Sequence, residues 1–494
     1  MSPKTAAELG RLVSGSVVGD ATAAVSDVTH DSRQAGTGIL FTAVEGATKD
    51  GHEYVPDAVA AGSTVVCVNR RLDIPVTQIV VEDTRAVMGL LAARVHGDPS
   101  AEVPVVGVTG TNGKTTVTHY IESITASTGW KPGLIGTIRT SVGDTRYEST
   151  RTTPEATDFQ RLLGRMRDEG ADVIATEVSS HALDLERVAG TRFAVAAFTN
   201  LSQDHLDFHH DMASYRQAKE RLFRDYDVES AVVNVDDPVG KDIASWAPMP
   251  VTTVGVGGDV RAANLVATDL GAGFDLVVGG EAAKVETPLI GSFNVRNALV
   301  AAACGLALGL TLDQVKEGLG SLAGVPGRFE LVSGSSAIRV IVDYAHTPDS
   351  VRAAVGAARE VTKARVIAVL GAGGDRDIDK RPLMGASAAL ADLVIVTNDN
   401  PRSEDPGSIA DAVFAGIPEA RSALVELDRR AAIEMALDGA EPGDIVLVLG
   451  KGHETSQMIG NEVKPFSDRT VVRRLLGLTP ESAGSGLTSG SMSL

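Results

Sequence analysis

From about residue 100 the chain alternates short apolar, β-branched runs with longer Ala-rich stretches of helical character. This alternation predicts a mostly parallel α/β sheet with strands buried on both faces. Polar residues follow each predicted strand, and ligands of open parallel sheets bind beyond the carboxyl ends of the strands. We therefore expect the chemistry at those ends. The first four predicted strands are VPVVGVTG, DVIATEV, VAAFTN and SAVVNVD, ending at Gly110, Val178, Asn200 and Asp236.

Two interruptions divide the chain. Gly and Pro break the helical pattern at residues 322–330, and a second α/β series follows with strands IRVIVDYAH, ARVIAVLGAGG, ADLVIVTNDN and GDIVLVLGKG. The segment HGDPSAEVP is typical of a linker and separates an earlier region with short strands such as TVVCVN and QIVVED. We predict three α/β domains: a smaller N-terminal one at residues 1–100, a central one at 101–329 with a mostly parallel sheet and a Rossmann-like C-terminal one at 330–480. Residues 481–494, rich in Ser, Gly and Thr, are expected to form a disordered tail.

Composition narrows the class of protein. At 494 residues the chain exceeds one core, and a net charge of −19 argues against binding to a nucleic-acid duplex or an anionic membrane surface. The longest apolar run, 298–310, is shorter than the roughly 18 residues of a membrane span and predicts a buried helix. Only Cys67 and Cys304 are present, so no disulfide framework is expected. With no secretory signal pattern at residues 1–15, the cytoplasm is the expected compartment, and we expect a monomer.

The sharpest local signal is GVTGTNGKT, in which Gly107, Gly113, Lys114 and Thr115 follow G-x-x-x-x-G-K-[ST] with five residues, one more than in the pattern, between the two glycines. An apolar strand precedes it and a helical pattern follows it, so backbone N–H groups and a helix N-terminus would face nucleotide phosphates. The alternative, a chance glycine turn, is disfavoured by this context. ATP or GTP binding is predicted, with Lys114 on the outer phosphates and Thr115 on Mg²⁺.

Two further strand ends carry carboxylate and imidazole groups. EVSSHALDLER brings Glu177 and His181, and TNLSQDHLDFHHD brings Asn200, Asp204 and His205. Beside a phosphate loop such groups could complete a Mg²⁺ shell, whereas alone they would more often be capping or solvated residues. Lys219, on a predicted helix, is by pattern alone an ordinary solvent-facing lysine.

The C-terminal region holds a third polar cluster. GAGGDRD, residues 371–377, fails the dinucleotide pattern because Arg376 stands where its third glycine would fall, so NAD binding is rejected. Arg376, the DNPR segment 399–402 and the GKGHE segment 450–454 follow successive strands. Two arginines and a glutamate suit a zwitterionic amino acid, because guanidinium pairs with carboxylate and Glu454 could bind an ammonium. A surface ion-pair network is the alternative interpretation.

These motifs together resemble the Mur ligase family over almost the whole chain, and within it the members that add meso-diaminopimelate to UDP-N-acetylmuramoyl-L-alanyl-D-glutamate. GTNGKTT, EVSSH, NLSQDHLDFH, GSFNVRNALVAAA, GVPGRFE, DYAHTP, DNPR and GKGHE occur in the family's order. The resemblance implies an ADP-forming amide ligase of peptidoglycan precursor synthesis, and so of cell wall biogenesis, cell shape and cell division. It also implies a UDP-binding N-terminal domain, a central ATPase and a C-terminal amino-acid domain.

The resemblance also implies residue roles. Lys114, Glu177, His205, Lys219 and Arg328 would be catalytic, with Lys219 carbamylated, which reverses its interpretation as solvent-facing. Mg²⁺ would be held by Thr115, Glu177, His205 and the modified Lys219. ATP would contact Gly110, Thr111, Asn112, Gly113, Lys114, Thr115, Thr116, Asn297, Arg328, Asp343 and His346.

For the other two substrates the resemblance implies two further sets. The UDP-sugar dipeptide would contact Ser32, Ala47, Thr48, Lys49, Thr152, Thr153, Ser179 and Arg187, although Arg151 and Leu185 depart from the asparagine and glutamine often found at their positions. Diaminopimelate would contact Arg376, Asp399, Asn400, Pro401, Arg402, Gly450 and Glu454.

Arg402 would pair with the far carboxylate of diaminopimelate. Lysine-adding relatives lack this arginine, because an unpaired buried guanidinium would be unfavourable. Rival hypotheses are another amide ligase, such as a folylpolyglutamate synthetase or a different Mur ligase, and a nucleotide-dependent switch that needs no second substrate.

Overall fold

The computed structural model describes residues 3–46, 49–147, 151–268, 270–333 and 337–478. Its three larger sheets use strands from successive stretches of the chain, and helices cover them. The predicted fold class, α/β with mostly parallel sheets, is confirmed. The exact domain boundaries stay a prediction, and the predicted disordered tail lies outside the described residues. Within the described ranges, no helix combines the length and the apolar character needed to cross a membrane.

The N-terminal region is a five-stranded sheet in the order β2-β7-β6-β5-β4, in which only β2 is antiparallel to its neighbour. Strands β1 and β3 form a separate antiparallel pair. Apolar residues such as Leu40, Cys67 and Leu91 pack between this sheet and its helices. The elements are β1 Lys4–Thr5, α1 Ala6–Leu12, β2 Ser16–Val18, β3 Ala24–Val25, β4 Asp27–Thr29, β5 Ile39–Thr42, α2 Val55–Ala60, β6 Val65–Val68, β7 Thr77–Val80 and α3 Thr84–Val95, with short 3₁₀ turns at Ser32–Gln34, Gly51–Tyr54 and Pro99–Ala101.

The central region is an eleven-stranded sheet in the order β11-β10-β9-β12-β8-β13-β14-β15-β16-β17-β18. In this spatial order, the strands from β9 through β12, β8, β13, β14 and β15 to β16 pair in parallel. Antiparallel strands extend the sheet at both edges. The elements are β8 Val105–Thr109, α4 Lys114–Ser127, β9 Pro132–Ile135, β10 Thr140–Val142, β11 Thr145–Tyr147, α5 Ala156–Asp168, β12 Val173–Glu177, α6 Ser180–Asp184, β13 Arg192–Phe198, α7 Leu206–His209, α8 Met212–Arg224, β14 Asp227–Asn234, α9 Pro238–Trp246, β15 Val251–Val254, β16 Val260–Thr268, β17 Gly271–Val278, β18 Glu281–Thr287, α10 Ser292–Ala307 and α11 Leu312–Ser321.

The C-terminal region is a six-stranded sheet in the order β19-β20-β24-β21-β22-β23, parallel except for β19. The antiparallel pair β25 and β26 follows it. Strand β23 was not among the predicted strands. The elements are β19 Glu330–Leu331, β20 Arg339–Asp343, α12 Pro348–Val361, β21 Val366–Leu370, α13 Lys380–Ala388, β22 Leu393–Val396, α14 Pro406–Phe414, β23 Ser422–Val425, α15 Arg429–Asp438, β24 Ile445–Leu449, β25 Ser456–Ile459, β26 Glu462–Pro465 and α16 Asp468–Leu475.

The apolar run 298–310 forms most of α10, and Ala298 to Cys304 are buried there, as predicted. This helix packs against α4, which follows the glycine-rich turn, in the largest core cluster. A helix without an exposed face is held between elements on all sides. The buried helix α10 therefore supports one side of the glycine-rich turn between β8 and α4.

Contacts join the central region to both neighbours. On the N-terminal side, Arg161 of α5 pairs with Asp27 at 3.1 Å, and His30 Nδ1 lies 2.8 Å from Thr157 Oγ1. On the C-terminal side, Lys380 Nζ lies 3.3 Å from Asp204 Oδ1. The second set of contacts borders the carboxyl ends of the central strands, which is where the sequence predicts the chemistry.

Candidate active site

A cleft of about 540 Å³ opens beyond the carboxyl ends of β8, β12 and β13 and is closed on its far side by the turn after β20. It therefore lies between the central and C-terminal regions. Fourteen of the sequence-predicted residues line it: Thr111, Asn112, Gly113, Lys114, Thr115, Thr116, Thr152, Glu177, Ser179, His205, Asn297, Arg328, Asp343 and His346.

The turn between β8 and α4 depends on its glycines. Gly110 and Gly113 have φ of +143° and +91°, in the region that disfavours other residues. A Cβ atom at Gly110 would lie 1.9 Å from Thr199 Oγ1, and one at Gly113 would lie 2.3 Å from Asn297 Oδ1. The turn is also braced by the end of β13, because the Thr111 amide donates to the Asn200 carbonyl at 2.8 Å. The sequence thus builds a rigid loop that opens α4 as in phosphate-binding proteins.

Two lysines contact this loop from opposite sides. Lys114 Nζ donates to the carbonyls of Gly110 and Thr111, each at 2.9 Å. Lys219 Nζ donates to the Gly110 carbonyl at 2.8 Å and lies 4.4 Å from the Tyr215 ring centroid. Lys219 is 1% exposed, so its interpretation from pattern alone as solvent-facing was wrong. It is buried because α8 packs its lysine-bearing face against the loop.

Burial lowers the pKa of both amines, and at Lys219 the nearby Lys114 charge lowers the pKa further, well below its ordinary value. Neither lysine has an ion-pair partner within 4 Å among the residues described. Because their partners are neutral carbonyl oxygens, the charge of either lysine in its protonated form is available to an anion bound in the cleft.

Thr115 and Glu177 form the hydroxyl and carboxylate part of the site. The Thr115 hydroxyl donates to Glu177 Oε2 at 2.8 Å, and the Thr137 amide donates to Glu177 Oε1 at 2.7 Å. Arg328 Nη2 donates to Thr115 Oγ1 at 2.9 Å, and its guanidinium lies 4.5 Å from the Tyr344 ring centroid. The structure therefore brings together three predicted residues far apart in sequence and orients each of them.

His205 and Asp204 follow β13 and reach the C-terminal region. His205 has φ of +55° and its Nε2 lies 3.4 Å from Asp204 Oδ2. Burial lowers the pKa of His205 to about 3, which favours the neutral imidazole that a metal ligand requires. Asp204 also meets His346 Nε2 at 3.6 Å and Lys380 Nζ at 3.3 Å. Although burial alone would raise its pKa, the hydrogen bond with His346 and the charge of Lys380 hold the pKa of Asp204 well below its ordinary value.

Magnesium suits the donors at this end of the cleft. Mg²⁺ takes hard oxygen ligands and commonly binds one or two carboxylates together with substrate phosphates. Thr115 and Glu177 offer a hydroxyl and a carboxylate already in contact. Across the described ranges, the sole group of three His, Cys, Asp or Glu ligand atoms within 4.8 Å of one another is Glu45, Asp50 and His52, in the N-terminal region.

The predicted dipeptide residues lie beside Glu177. Thr152 Oγ1 is 3.0 Å from Thr137 Oγ1, and the Thr153 hydroxyl donates to the Glu177 carbonyl at 2.8 Å. Arg187 Nη1 donates to the Thr153 carbonyl at 3.4 Å, and Ser179 caps α6. Of the predicted uridine contacts, Ser32 begins a 3₁₀ turn after β4 and Lys49 Nζ lies 5.7 Å from the Tyr54 ring centroid. Ala47 and Thr48 lie outside the described residues.

Arg376 and Arg402 flank one glycine turn. A Cβ atom added to Gly373 would lie 3.0 Å from Arg402 Nη1 and 3.7 Å from Arg376 Cγ. Arg402, with φ of +52°, donates from Nη1 to the Gly374 carbonyl at 2.6 Å. The neighbouring Asp377 accepts from Gln203 Nε2 of the central region at 3.1 Å, so this arginine turn adjoins the mouth of the cleft.

The remaining predicted residues of this cluster meet around Lys451. Asn400 Nδ2 donates to Glu454 Oε2 at 2.9 Å, and Lys451 Nζ lies 3.5 Å from Asp399 Oδ1. A Cβ atom at Gly450 would lie 3.0 Å from Asp399 Oδ2, so that carboxylate needs the glycine. Pro401 is buried between Asn400 and Arg402. The structure gathers all seven predicted amino-acid-binding residues into adjoining turns after β21, β22 and β24.

Sequence reasoning missed several residues of these sites. Thr137 and Lys380 lie outside the motifs, and Tyr344 and Lys451 lie inside two motifs that gave them no role. Only the contacts just described identify them, since each acts on a predicted residue across a tertiary interface. The neighbouring motifs DYAHTP and GKGHE contain two of them and offered the nearest signal.

The fold and the cleft define a class of protein: a phosphate-loop α/β enzyme whose C-terminal α/β region closes the far side of the cleft. Three family models match in the expected order. They are the "Mur ligase family, catalytic domain" at residues 24–96, the "Mur ligase middle domain" at 108–305 and the "Mur ligase, glutamate ligase domain" at 327–452. The chain belongs to the Mur ligase family.

Two curated relatives carry the name UDP-N-acetylmuramoyl-L-alanyl-D-glutamate--2,6-diaminopimelate ligase. The protein of Geobacillus kaustophilus is 46% identical over 454 residues, covering 90% of this chain and 93% of its own. That of Aquifex aeolicus is 42% identical over 454 residues, covering 92% and 94%. The resemblance to the Mur ligases predicted from the motifs is therefore confirmed.

Solved structures of Mur ligases show the same fold. A structure named for the same diaminopimelate ligase superposes with a TM-score of 0.70 at 30% identity, covering 96% of this chain and 99% of the other. The MurF ligase of Thermotoga maritima in complex with ADP gives a TM-score of 0.61 at 19% identity, covering 86% and 94%, which shows a shared fold.

Proposed function

We propose that this protein is the ATP-dependent ligase that joins meso-diaminopimelate to the D-Glu γ-carboxylate of UDP-N-acetylmuramoyl-L-alanyl-D-glutamate, forming ADP and phosphate. The observation that carries the proposal is that the border of the phosphate-loop cleft contacts the turn that bears Arg376: Gln203 donates to Asp377 at 3.1 Å and Asp204 pairs with Lys380 at 3.3 Å. The shared name of the two relatives at 42% and 46% identity supports the substrate assignment. The reaction belongs to peptidoglycan precursor synthesis, and hence to cell wall biogenesis, cell shape and cell division, in the cytoplasm and by a monomer.

Chemistry requires activation of the carboxylate before the amide can form. An ionised carboxylate repels nucleophiles and has no adequate leaving group. In the first step an oxygen of the D-Glu γ-carboxylate attacks the γ-phosphorus of ATP. The bond between that phosphorus and the oxygen bridging to the β-phosphate breaks. ADP departs, and the dipeptide becomes an acyl phosphate. Lys114 and Arg328 stabilise the charge on the transferring group, and the amides of residues 110–116 hold the phosphates in line.

Thr115, Glu177 and His205 would hold magnesium beside the nucleotide. The contact of the Thr115 hydroxyl with the Glu177 carboxylate at 2.8 Å supports this assignment, because both offer hard oxygen donors. When bound, the ion neutralises phosphate charge and aligns the phosphoryl oxygens. Thr137, through its amide and hydroxyl, fixes the orientation of the Glu177 carboxylate.

Lys219 suits carbamylation. A lysine must be neutral at Nζ to attack the carbon of CO₂, after which the nitrogen loses a proton and carries a carboxylate. Its burial and the nearby Lys114 lower the pKa of Lys219, so the neutral amine is accessible. The carbamylated side chain would lie beside Lys114 and the phosphate loop. Its negative charge would attract Lys114, whereas a protonated Lys219 would repel it. The same anion can help to organise magnesium.

In the second step the neutral diaminopimelate amine attacks the acyl carbon, phosphate leaves, and the nitrogen gives up its proton. Arg402 would pair with the far carboxylate and Glu454 with an ammonium group. The contacts of Asp204 with Lys380 and His346 support a closed arrangement in which the acyl phosphate is shielded from water. Gly327, with φ of +64° in the segment between the two regions, is a suitable hinge.

The decisive experiment offers meso-diaminopimelate, L-lysine and L-ornithine in competition with ATP and the UDP-linked dipeptide. We expect an ADP-coupled product whose mass corresponds to diaminopimelate addition. Preference for lysine would refute the substrate assignment. Hydrolysis of ATP that needs neither dipeptide nor amino acid would instead favour a nucleotide-dependent switch.

A folylpolyglutamate synthase is the nearest alternative ligase. Such a protein of Mycobacterium tuberculosis complexed with ADP and AMPPCP gives a TM-score of 0.62 at 18% identity but covers only 79% of this chain. Omission of the UDP-linked dipeptide with addition of a folate and glutamate tests this alternative directly, and we expect no product.

A further inference from the structure

We propose that Lys451 is a positioning residue for the amino-acid substrate: it holds Asn400 and Glu454 in the orientation that leaves one Glu454 oxygen to receive an ammonium group. The proposal rests on the proposed function of this pocket. It assigns a role to a lysine that binds neither nucleotide nor dipeptide, and it concerns selectivity for a charged amine.

The contacts of Lys451 carry the argument. Its Nζ donates to Glu454 Oε2 at 2.7 Å and to Asn400 Oδ1 at 3.1 Å. Asn400 in turn donates from Nδ2 to the same Glu454 oxygen at 2.9 Å. One carboxylate oxygen therefore takes two donors from the protein, and the three side chains form a closed hydrogen-bonded triangle. The other oxygen, Oε1, has no donor recorded within the described ranges.

Burial separates Lys451 from an ordinary surface lysine. Its side chain is 0% exposed, whereas the Glu454 side chain is 29% exposed. The lysine is therefore enclosed by protein, whereas the glutamate reaches solvent. A lysine without solvent contact reaches no substrate, so it acts through the two side chains that it orients.

The charges around the triangle explain why a cation is needed. Asp399 and Glu454 bring two carboxylates to one buried cluster, with Lys451 between them at 3.5 Å and 2.7 Å. Burial raises the pKa of Asp399, and the charges of Arg429 and Lys451 oppose this increase. Burial would also raise the pKa of Glu454, but Lys451 is the main influence that lowers it. Without the lysine the carboxylates repel each other and one of them takes up a proton.

The other charged groups facing the cluster do not replace Lys451. Arg429 is engaged by Asp468 in a pair that is 0% exposed on both sides, with contacts of 2.7 and 2.8 Å. His453 is neighboured by Arg328, and burial lowers its pKa to about 4, so it is neutral at working pH. Tyr344 is also buried, which raises its pKa and leaves it neutral.

The test compares Lys451→Met with wild type in steady-state ligation. We expect the KM for diaminopimelate to rise by about tenfold or more, while the KM for ATP stays within about twofold. Because Glu454 then protonates more readily, the KM for the amino acid should increase further as pH falls from 8 to 6. Lys451→Arg should restore part of the affinity. Lys464→Met, at a side chain 58% exposed on β26, is the matched control and should change neither KM.

Lys451→Met alone leaves buried carboxylates without their cation and could fail to fold. The double variant Lys451→Met/Glu454→Gln removes one of those carboxylates as well, and its comparison with Glu454→Gln keeps the proposal testable. If Lys451 acts through Glu454, Lys451→Met/Glu454→Gln should have the same amino-acid KM as Glu454→Gln, within about twofold. Additive increases, or an unchanged amino-acid KM and pH profile in Lys451→Met, would overturn the positioning role. Absence of any amide product from wild type would instead refute the proposed function itself.

Discussion

The two walls of the cleft are built in different ways. The central wall takes its phosphate loop from one continuous turn, residues 110–116. On the C-terminal side the turn after β20 lines the cleft, and the predicted amino-acid-binding residues lie outside its lining, in the turns after β21, β22 and β24. A contiguous loop has a local sequence signature, while a pocket assembled from separate turns exists only after the sheet has formed. The comparison shows that catalytic charge can be encoded locally and substrate choice by tertiary assembly.

The walls also differ in how their lysines are satisfied. Lys114 contacts carbonyl oxygens at 2.9 Å, which leave its charge available to phosphates. Lys451 contacts a carboxylate at 2.7 Å, which neutralises it within the protein. We therefore expect changes in the central wall to affect the chemical step and changes in the C-terminal wall to affect amino-acid recognition.

The largest effect is expected for Lys114→Met. Removal of the loop cation should lower kcat/KM by about a thousandfold, equivalent to about 4 kcal/mol of transition-state stabilisation. The measurement is the initial rate of ADP formation with ATP varied and the other two substrates saturating. Lys316→Met, at an exposed position of α11, is the control. Near-normal turnover in Lys114→Met would contradict the assignment of the phosphate site.

Arg402→Ala should affect recognition on the other wall. Loss of a guanidinium that pairs with a carboxylate should raise the KM for diaminopimelate by roughly tenfold to a hundredfold, with the ATP KM nearly unchanged. Competition with L-lysine should show a smaller preference for diaminopimelate, since lysine lacks the second carboxylate. Arg421→Ala, an exposed arginine near the same sheet, serves as the control. An equal increase in both KM values would show that the walls are not separable in function.

Lys380→Met tests the joint between the walls. Its Nζ lies 3.3 Å from Asp204, and both side chains are nearly buried. Loss of this pair should destabilise the closed arrangement and lower kcat by about tenfold, with smaller effects on the KM for ATP. Small-angle scattering with nucleotide and dipeptide bound should then show a larger radius of gyration than wild type. Lys363→Met, exposed on the same region, should leave both measurements unchanged.

The smallest effect on catalysis is expected for Asp27→Asn, at the interface that faces away from this joint. Burial would raise the pKa of Asp27, but the hydrogen bond to His96 and the charge of Arg161 lower it to about 2 from 3.8. A carboxylate with a lowered folded-state pKa stabilises above its unfolded pKa, near 4, and this stabilisation is lost as pH falls through about 2.

Asp27→Asn should therefore reduce the free energy of unfolding at pH 7 by about 2 kcal/mol, and the difference from wild type should shrink as pH falls from 4 to 2. Chemical denaturation followed at several pH values measures both quantities. Ligation rates should stay close to wild type. A large loss of activity would indicate that this interface also controls the cleft.

Much of the fold could be predicted because its signals are local. The four central strands that were predicted end within two residues of the observed ends, at Thr109, Glu177, Phe198 and Asn234. Strand β23 was missed because its residues 422–425 lie at a sheet edge and are mostly exposed, so they lack the apolar run of a buried strand. The edge strands of the central sheet, β11 and β18, are likewise partly exposed and partly polar.

The site divides in the same way. The loop, Glu177 and His205 could be located from motifs beside strand ends. The burial of Lys219 could not be, because a helix pattern does not reveal which neighbour covers a given face. Similarly, no spacing in the sequence links Arg328 to Thr115, although their side chains meet at 2.9 Å.

The sequence by itself determined the order of strands and helices, the phosphate loop and the identity of the charged groups, because these depend on local apolar periodicity and on residues adjacent in the chain. Only the tertiary structure decided which charges are paired, buried or open to a substrate. Those properties depend on distances between turns that are hundreds of residues apart, and on the removal of water when the sheets and their helices pack together.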